Sequence, residues 1–264
     1  MAEFTAQDVQ ALRRATGAGM LDAKRALEAA GGDADKAAVW LREQGLAGAA
    51  KRSDREATQG AVSLAVSPEG AALVELCCET DFVAKSSEFV ALADELADSV
   101  ASKGESAAAE LSGAIDRLKT ILKENVSLGR VVRFVPGEGS VIGSYLHHQA
   151  DRGVNGVIVE LSGGDDALAH DIAVHIAFSR PQYLRREDVP AEEVAAERGV
   201  VEQVSRNEGK PEASLPKIVE GRMNGWFKER CLLEQPYVRD EKHTVAEHLS
   251  GAVVVRFAQV VVGS

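Results

Sequence analysis

A pattern of strands and a helix occurs twice in this chain. The tripeptide VEL stands at residues 74–76 and again at 159–161, and an alanine-rich stretch follows each copy, ALADELADSVA at 91–101 and ALAHDIAVHIA at 167–177. Five positions of the two stretches are identical, and their apolar residues fall at helical spacing. Alternating apolar residues ahead of each helix predict a pair of strands. The sequence therefore predicts two similar α+β subdomains with antiparallel sheets, related by duplication.

The two copies differ in the connection from strand to helix. Sixteen positions separate Leu76 from Leu92, whereas seven separate Leu161 from Leu168, so the first copy is nine residues longer. The extra residues include TDFVAK, residues 80–85. Because additional loop residues cost conformational entropy, they usually have a binding function.

Phe82 is the most informative residue of this longer connection. It stands between the charges of Asp81 and Lys85, which make its full burial costly. An exposed aromatic residue is a common anchor of protein interfaces. The alternative is that Phe82 folds back into the core, as a lone aromatic residue usually does.

The remaining segments are predicted to be mostly helical. Thr5 and Asp8 resemble a capping box at the start of three short helices, the third of which is expected to end at Gly45. Residues 46–59 lack apolar periodicity and are predicted to be a linker. Two helical stretches separated by GKPE predict a helical hairpin at about 187–229.

Composition argues against several classes of protein. The formal net charge of −11 disfavours broad contact with nucleic acid. No apolar run is long enough to span a bilayer, and the N-terminus does not resemble a signal peptide. Three cysteines make no disulfide framework, so a soluble cytoplasmic protein is expected.

Signatures of chemistry are weak in this sequence. We find no phosphate-binding loop and no histidine spacing typical of a metal site. Cys77 and Cys78 are adjacent on a predicted strand, where buried cysteine is the default interpretation. A thiol enzyme would require one of them to be reactive. We therefore do not expect an enzyme.

Several motifs, in order, resemble the bacterial elongation factor Ts family, the nucleotide-exchange factors of elongation factor Tu. TDFVAK matches the family's most diagnostic motif, and LRRATGAGMLDAKRALEAAGGD matches its N-terminal signature. SRPQYL, GKPE, KIVEGRM and QPYV match later blocks. The resemblance covers essentially the whole sequence. Some members carry a further C-terminal module after the last strand, and any contact made by such a module falls outside this sequence.

The resemblance implies a domain organisation. Residues 1–55 would be a ubiquitin-associated-like three-helix domain with its linker. Residues 56–143 and 144–264 would be the two core subdomains, and the helical hairpin would be an insertion in the second, linked to dimer contacts in some members.

The resemblance also implies a function without bond chemistry or a cofactor. The chain would bind elongation factor Tu in its GDP and nucleotide-free forms and promote GDP release. Thr80, Asp81, Phe82 and Val83 would dislocate Mg²⁺, and His147 would act near the phosphate loop. Met20 and Leu21 would be a contact face of the N-terminal domain, unless either belongs to its core. A homodimer or a 2:2 complex stays open, and the alternative function is a ubiquitin-associated-like adaptor without exchange activity.

Overall fold

The chain has the predicted α+β architecture in a computed structural model that describes residues 4–50 and 54–264. Its described residues divide into two compact units. The first contains the residues up to Arg133 with 148–154 and 261–264, and the second contains 134–147 and 155–260. Among the described residues, no helix is both long and apolar enough to cross a bilayer.

The first unit is built on the predicted hairpin. Strand β1 (Gln59–Ser67) runs antiparallel to β2 (Gly70–Cys78), with Gln59 opposite Cys78 at one end and Ser67 opposite Gly70 at the other. The strand order in this sheet is β1-β2-β3, where β3 is the strand Ser127–Phe134. The other elements are α1 (Ala6–Thr16), α2 (Met20–Ala29), α3 (Ala34–Ala50), α4 (Asp81–Ala84), α5 (Ser87–Lys103), α6 (Ala107–Glu110), α7 (Ser112–Leu122) and β3 (Ser127–Phe134).

The core of the first unit lies between β2 and α5. Val74 and Leu76 point to the same face of the strand, because alternate side chains do so. They pack in one cluster with Phe89 and Leu96 of the helix, and all four are fully buried. The helical spacing of the apolar residues in 91–101, among them Leu96 and Val100, thus predicted the buried face of α5 correctly.

The N-terminal helices confirm one predicted boundary and correct another. The Thr5 N–H donates to Asp8 Oδ2 at 2.7 Å and the Asp8 N–H donates to Thr5 Oγ1 at 3.3 Å, which is the predicted capping box. The predicted end of the third helix at Gly45 is wrong, because α3 continues past it. A Cβ atom at residue 45 would lie 2.3 Å from Thr120 Cγ2. The glycine is therefore needed where α3 packs against α7.

The predicted linker at 46–59 is only partly irregular. Helix α3 extends into it as far as Ala50, residues 51–53 lie outside the described part of the chain, and β1 begins at its last residue. Within it, the Arg55 guanidinium forms an ion pair with Glu79 at 3.3 Å. The linker is thereby attached to the residue that follows β2.

The second unit repeats the plan of the first. The central strand of its sheet is β5 (Arg152–Ser162), which lies between β4 (Ser140–Gln149) and β8 (Val253–Val261). Helix α8 (Asp166–Ser179) follows β5 just as α5 follows β2. Helices α9 and α10 form the predicted hairpin and share a cluster that contains Val201, Met223 and Trp226. The elements are β4 (Ser140–Gln149), β5 (Arg152–Ser162), α8 (Asp166–Ser179), α9 (Ala191–Asn207), α10 (Leu215–Arg230), β6 (Pro236–Tyr237), β7 (Asp240–Thr244), α11 (Val245–His248) and β8 (Val253–Val261).

The repeated VEL motif places a buried glutamate at the same point of each sheet. Glu75 accepts a hydrogen bond from the Gly263 N–H at 3.2 Å. Glu160 accepts from the Gly137 N–H and from Arg256 Nε, both at 2.7 Å. Burial alone would raise the pKa of Glu160, but these donors outweigh it and lower the pKa. The two copies therefore keep a satisfied carboxylate while using different donors.

His175 is fully buried in the second unit, and its hydrogen-bond partners fix which ring nitrogen carries the proton. Its Nδ1 accepts the Val238 N–H at 3.2 Å, and its Nε2 lies 3.0 Å from Gln235 Oε1. Since a backbone N–H can only donate, Nδ1 is unprotonated and Nε2 carries the proton. Gln235 also donates to the Glu229 carbonyl oxygen at 2.8 Å, which connects α8 with the end of α10. Burial lowers the pKa of His175 even though the bond to Gln235 opposes this.

The protein should lose stability on acidification through His175. Its pKa in the folded state is lowered, so the unfolded chain takes up the proton first as pH falls through the ordinary histidine pKa of about 6.5. Urea unfolding at about pH 7.5 and about pH 5.5 measures the effect. His175→Gln, whose amide can both accept and donate, should reduce the difference between the two conditions. Equal pH dependence in both proteins would contradict this assignment.

Candidate functional site

The longer connection of the first copy folds as a single helical turn, α4, rather than the loop expected from sequence. Thr80 is its N-cap and accepts the Val83 N–H through Oγ1 at 3.4 Å. The Ala84 N–H donates to the Thr80 carbonyl oxygen at 3.2 Å, and Ser86 Oγ donates to the Val83 carbonyl oxygen at 2.8 Å. The backbone of the extra residues is thus hydrogen-bonded within the segment itself.

The side chains of α4 separate into an inner and an outer set. Val83 packs against the core cluster of the first unit, and Ala84 is fully buried. Phe82 points outward and is 83% exposed. The alternative in which Phe82 belongs to the core is therefore wrong, since its neighbours anchor the turn instead.

Asp81 and Lys85 pair with each other across one helical turn. Asp81 Oδ2 lies 2.5 Å from Lys85 Nζ. This bond lowers the pKa of the Asp81 carboxyl, and the Arg152 guanidinium adds to the effect. Both side chains are nearly half exposed, so the pair contributes little to stability. Its consequence is an ionised carboxylate directly beside the exposed ring.

Glu124, a residue that sequence reasoning missed, holds the start of this turn. Its Oε2 accepts the N–H groups of Glu79 at 3.1 Å and Thr80 at 3.0 Å, and its Oε1 accepts the Thr80 hydroxyl at 2.5 Å. The partners are more than forty residues apart in the chain. No local pattern could have revealed them; in the structure Glu124 stands just beyond the end of α7.

The other residues predicted for the site lie on separate elements. Met20 and Leu21 begin α2 and are 53% and 62% exposed, so neither is a core residue. His147 lies on β4 in the second unit and is exposed. Its Nδ1 is 3.3 Å from the Tyr145 hydroxyl, and the two rings are stacked.

The two adjacent cysteines are in environments that disfavour the thiolate. Burial and the neighbouring Glu75 raise the pKa of Cys77 to about 11. Burial and Glu124 raise the pKa of Cys78 to about 12, and Arg152 only partly opposes this. Cys78 also donates to the Thr80 carbonyl oxygen at 3.2 Å. These are the properties of structural cysteines.

Thiol labelling should therefore be slow in the native protein. At about pH 8 the thiolate fraction of Cys77 should be on the order of 10⁻³, and that of Cys78 lower still. An aromatic disulfide reagent should react with both far more slowly than with the unfolded chain. Guanidinium-unfolded protein, in which all three free cysteines are accessible, is the control. Rapid stoichiometric labelling of the folded protein would restore the thiol-enzyme hypothesis.

An exposed aromatic residue on a braced helical turn is typical of a protein-contact site. With cysteines of raised pKa beside it, such a site points to a protein that acts by binding another protein.

Comparison with known proteins agrees with this class. The family Elongation factor TS matches residues 79–264. An elongation factor Ts from Clavibacter michiganensis subsp. michiganensis (strain NCPPB 382) is 46% identical, with 100% of each chain covered. The elongation factor Ts of Streptomyces griseus subsp. griseus is 47% identical, and that of Micrococcus luteus is 42% identical, again over 100% of each chain. The chain belongs to the elongation factor Ts family of translation elongation factors.

Proposed function

We propose that this chain binds elongation factor Tu in its GDP and nucleotide-free forms and accelerates the release of GDP. Family membership supports the partner, and the outward position of Phe82 supports the contact. An exchange factor makes and breaks no covalent bond. It acts by binding the nucleotide-free GTPase more tightly than the GDP-bound form. By linkage, GDP weakens the binding of the factor by the same ratio.

The contact would be made by the α4 turn. Phe82 would insert between apolar side chains of the GTPase and displace the element that orders the water shell of Mg²⁺. Because Mg²⁺ demands near-ideal octahedral geometry, a small displacement should weaken its binding. Asp81, ionised beside the ring, would add hydrogen bonds or repulsion at that site. Thr80 and Val83 would hold the turn in place.

Two further contacts complete the proposal. His147 would abut the GTPase from the second unit and disturb its phosphate loop. Met20 and Leu21 would dock the N-terminal helices on the nucleotide-binding domain of the partner, and their exposure favours this role over a role in the core.

The division into domains at residues 55 and 143 and the state of association stay predictions. A cytoplasmic location and the absence of direct nucleic-acid contact belong to the same proposal.

The direct test is a release assay. Elongation factor Tu loaded with a fluorescent GDP analogue is mixed with this chain and excess GDP in a stopped-flow instrument. We expect release to accelerate with the concentration of the chain until it saturates. Release at the intrinsic rate at every concentration of the chain would overturn the exchange function and leave the adaptor function as the alternative.

A further inference from the structure

Glu124 determines the direction in which the Thr80 hydroxyl donates its proton. A hydroxyl carries one proton, and an ionised carboxylate can only accept. With Glu124 Oε1 at 2.5 Å, the proton of Thr80 points to the carboxylate. The lone pairs of Oγ1 are then directed to the Val83 N–H, which they cap. The carboxylate therefore controls the helix cap without touching the helix residues themselves.

Helix α4 depends on such external support. It contains four residues, Asp81–Ala84, and a single helical turn is not stable alone. Phe82 is 83% exposed and adds no packing that would hold its own backbone. The orientation of the ring is consequently set at the base of the turn, by the buried residues and by the Thr80 cap.

The backbone ahead of Glu124 is shaped to bring it to this position. Lys123 ends α7 in a left-handed conformation with φ of 57°, which is uncommon for a residue other than glycine. The chain turns there, and Asn125, the residue after Glu124, donates its N–H to Glu79 Oε1 at 2.7 Å. Glu124 thus accepts backbone N–H groups at the start of the turn, and Glu79 accepts the backbone N–H of the residue after Glu124. A left-handed residue is a common end for a helix, and here it directs the chain so that Glu124 reaches the start of α4.

We propose that Glu124 is a positioning residue for nucleotide exchange, which holds the Thr80 cap so that α4 presents Phe82 in one orientation. This inference rests on the proposed function of Phe82. Glu124 lies outside the TDFVAK segment and would affect exchange only by positioning that segment. Glu124 itself need not touch the GTPase.

The test is a double-mutant cycle in the stopped-flow release assay. Glu124→Ala should slow stimulated GDP release by about fivefold, the size expected when a helix cap is weakened. Glu124→Gln, which retains one acceptor oxygen, should lose about threefold. In a Phe82→Ala background neither change should slow release further, because the group being positioned is gone. The exposed Glu105→Ala is the matched control and should behave as wild type.

Two results would overturn the inference. One is wild-type release by both Glu124 variants, and the other is an undiminished loss in the Phe82→Ala background, which would indicate a general structural role. Amide hydrogen exchange of Val83 in the free protein gives an independent readout that needs no GTPase. We expect exchange in Glu124→Gln to be several-fold faster than in wild type, and unchanged exchange would also overturn the inference. If Phe82→Ala alone leaves release unchanged, the proposed role of Phe82 fails, while the exchange of Val83 still decides whether Glu124 orders α4.

Discussion

Replacing Phe82 with alanine is expected to slow the stimulated release of GDP by about 10- to 150-fold, because burial of a phenylalanine side chain contributes about 1.5–3 kcal/mol. The ring is 83% exposed in the free protein, so this free energy is available to the complex. Stability should change by no more than about 0.5 kcal/mol, as for other exposed side chains. Stopped-flow release and urea unfolding measure the two quantities on the same preparation.

A matched control for this prediction lies on α8. Phe178 is also an exposed phenylalanine, at 76%, but it lies outside the TDFVAK segment. Phe178→Ala should leave both release and stability close to wild type. If Phe82→Ala behaves in the same way, the ring is not the group that enters the GTPase.

The largest loss of stability is expected at the next phenylalanine in the sequence. Phe89 is fully buried among Val74, Leu76 and Leu96, so Phe89→Ala leaves a cavity in the core of the first unit. Substitutions of this kind cost about 3–5 kcal/mol of unfolding free energy. Urea unfolding of the variant should show a lower midpoint with a similar slope.

Phe89→Ala also separates folding from function. In the fraction that remains folded, Glu124 still binds the start of α4, so stimulated release per folded molecule should fall less than it does in Phe82→Ala. A stability loss below about 1 kcal/mol would mean that the surrounding side chains collapse into the space. Two phenylalanines seven residues apart are thus predicted to have opposite effects.

The fold was largely predictable because the two copies of the repeat carry the same periodic signals. Strand alternation in β1 and β2, and the helical spacing of residues such as Leu96 and Ile172, depend only on which face is buried. Gly45 shows where such reasoning fails. Glycine usually ends a helix, but here it allows α3 to approach Thr120 on another helix. A close approach between distant segments leaves no local signal in either one.

The candidate site was predictable in one part and not in another. The length difference between the copies identified Phe82 as an outward residue, since extra chain needs a use. The same comparison could not reveal that the extra residues form a helical turn. That turn depends on Glu124, which is contributed by a segment more than forty residues away. The exposed ring of Phe82 could therefore be predicted from the sequence. The contact with Glu124 could not, because the two segments are far apart in the chain.

Helix α7 and the residues that follow it contact segments whose local unfolding should be related. A Cβ on Gly17 would touch Ile121 at 3.3 Å, Lys123 binds Asp22 at 2.7 Å, and Glu124 holds the α4 turn. Segments joined in this way tend to open together as one cooperative unit in local unfolding. We therefore expect amide exchange to protect the N-terminal helices and the turn that carries Phe82 to a similar degree.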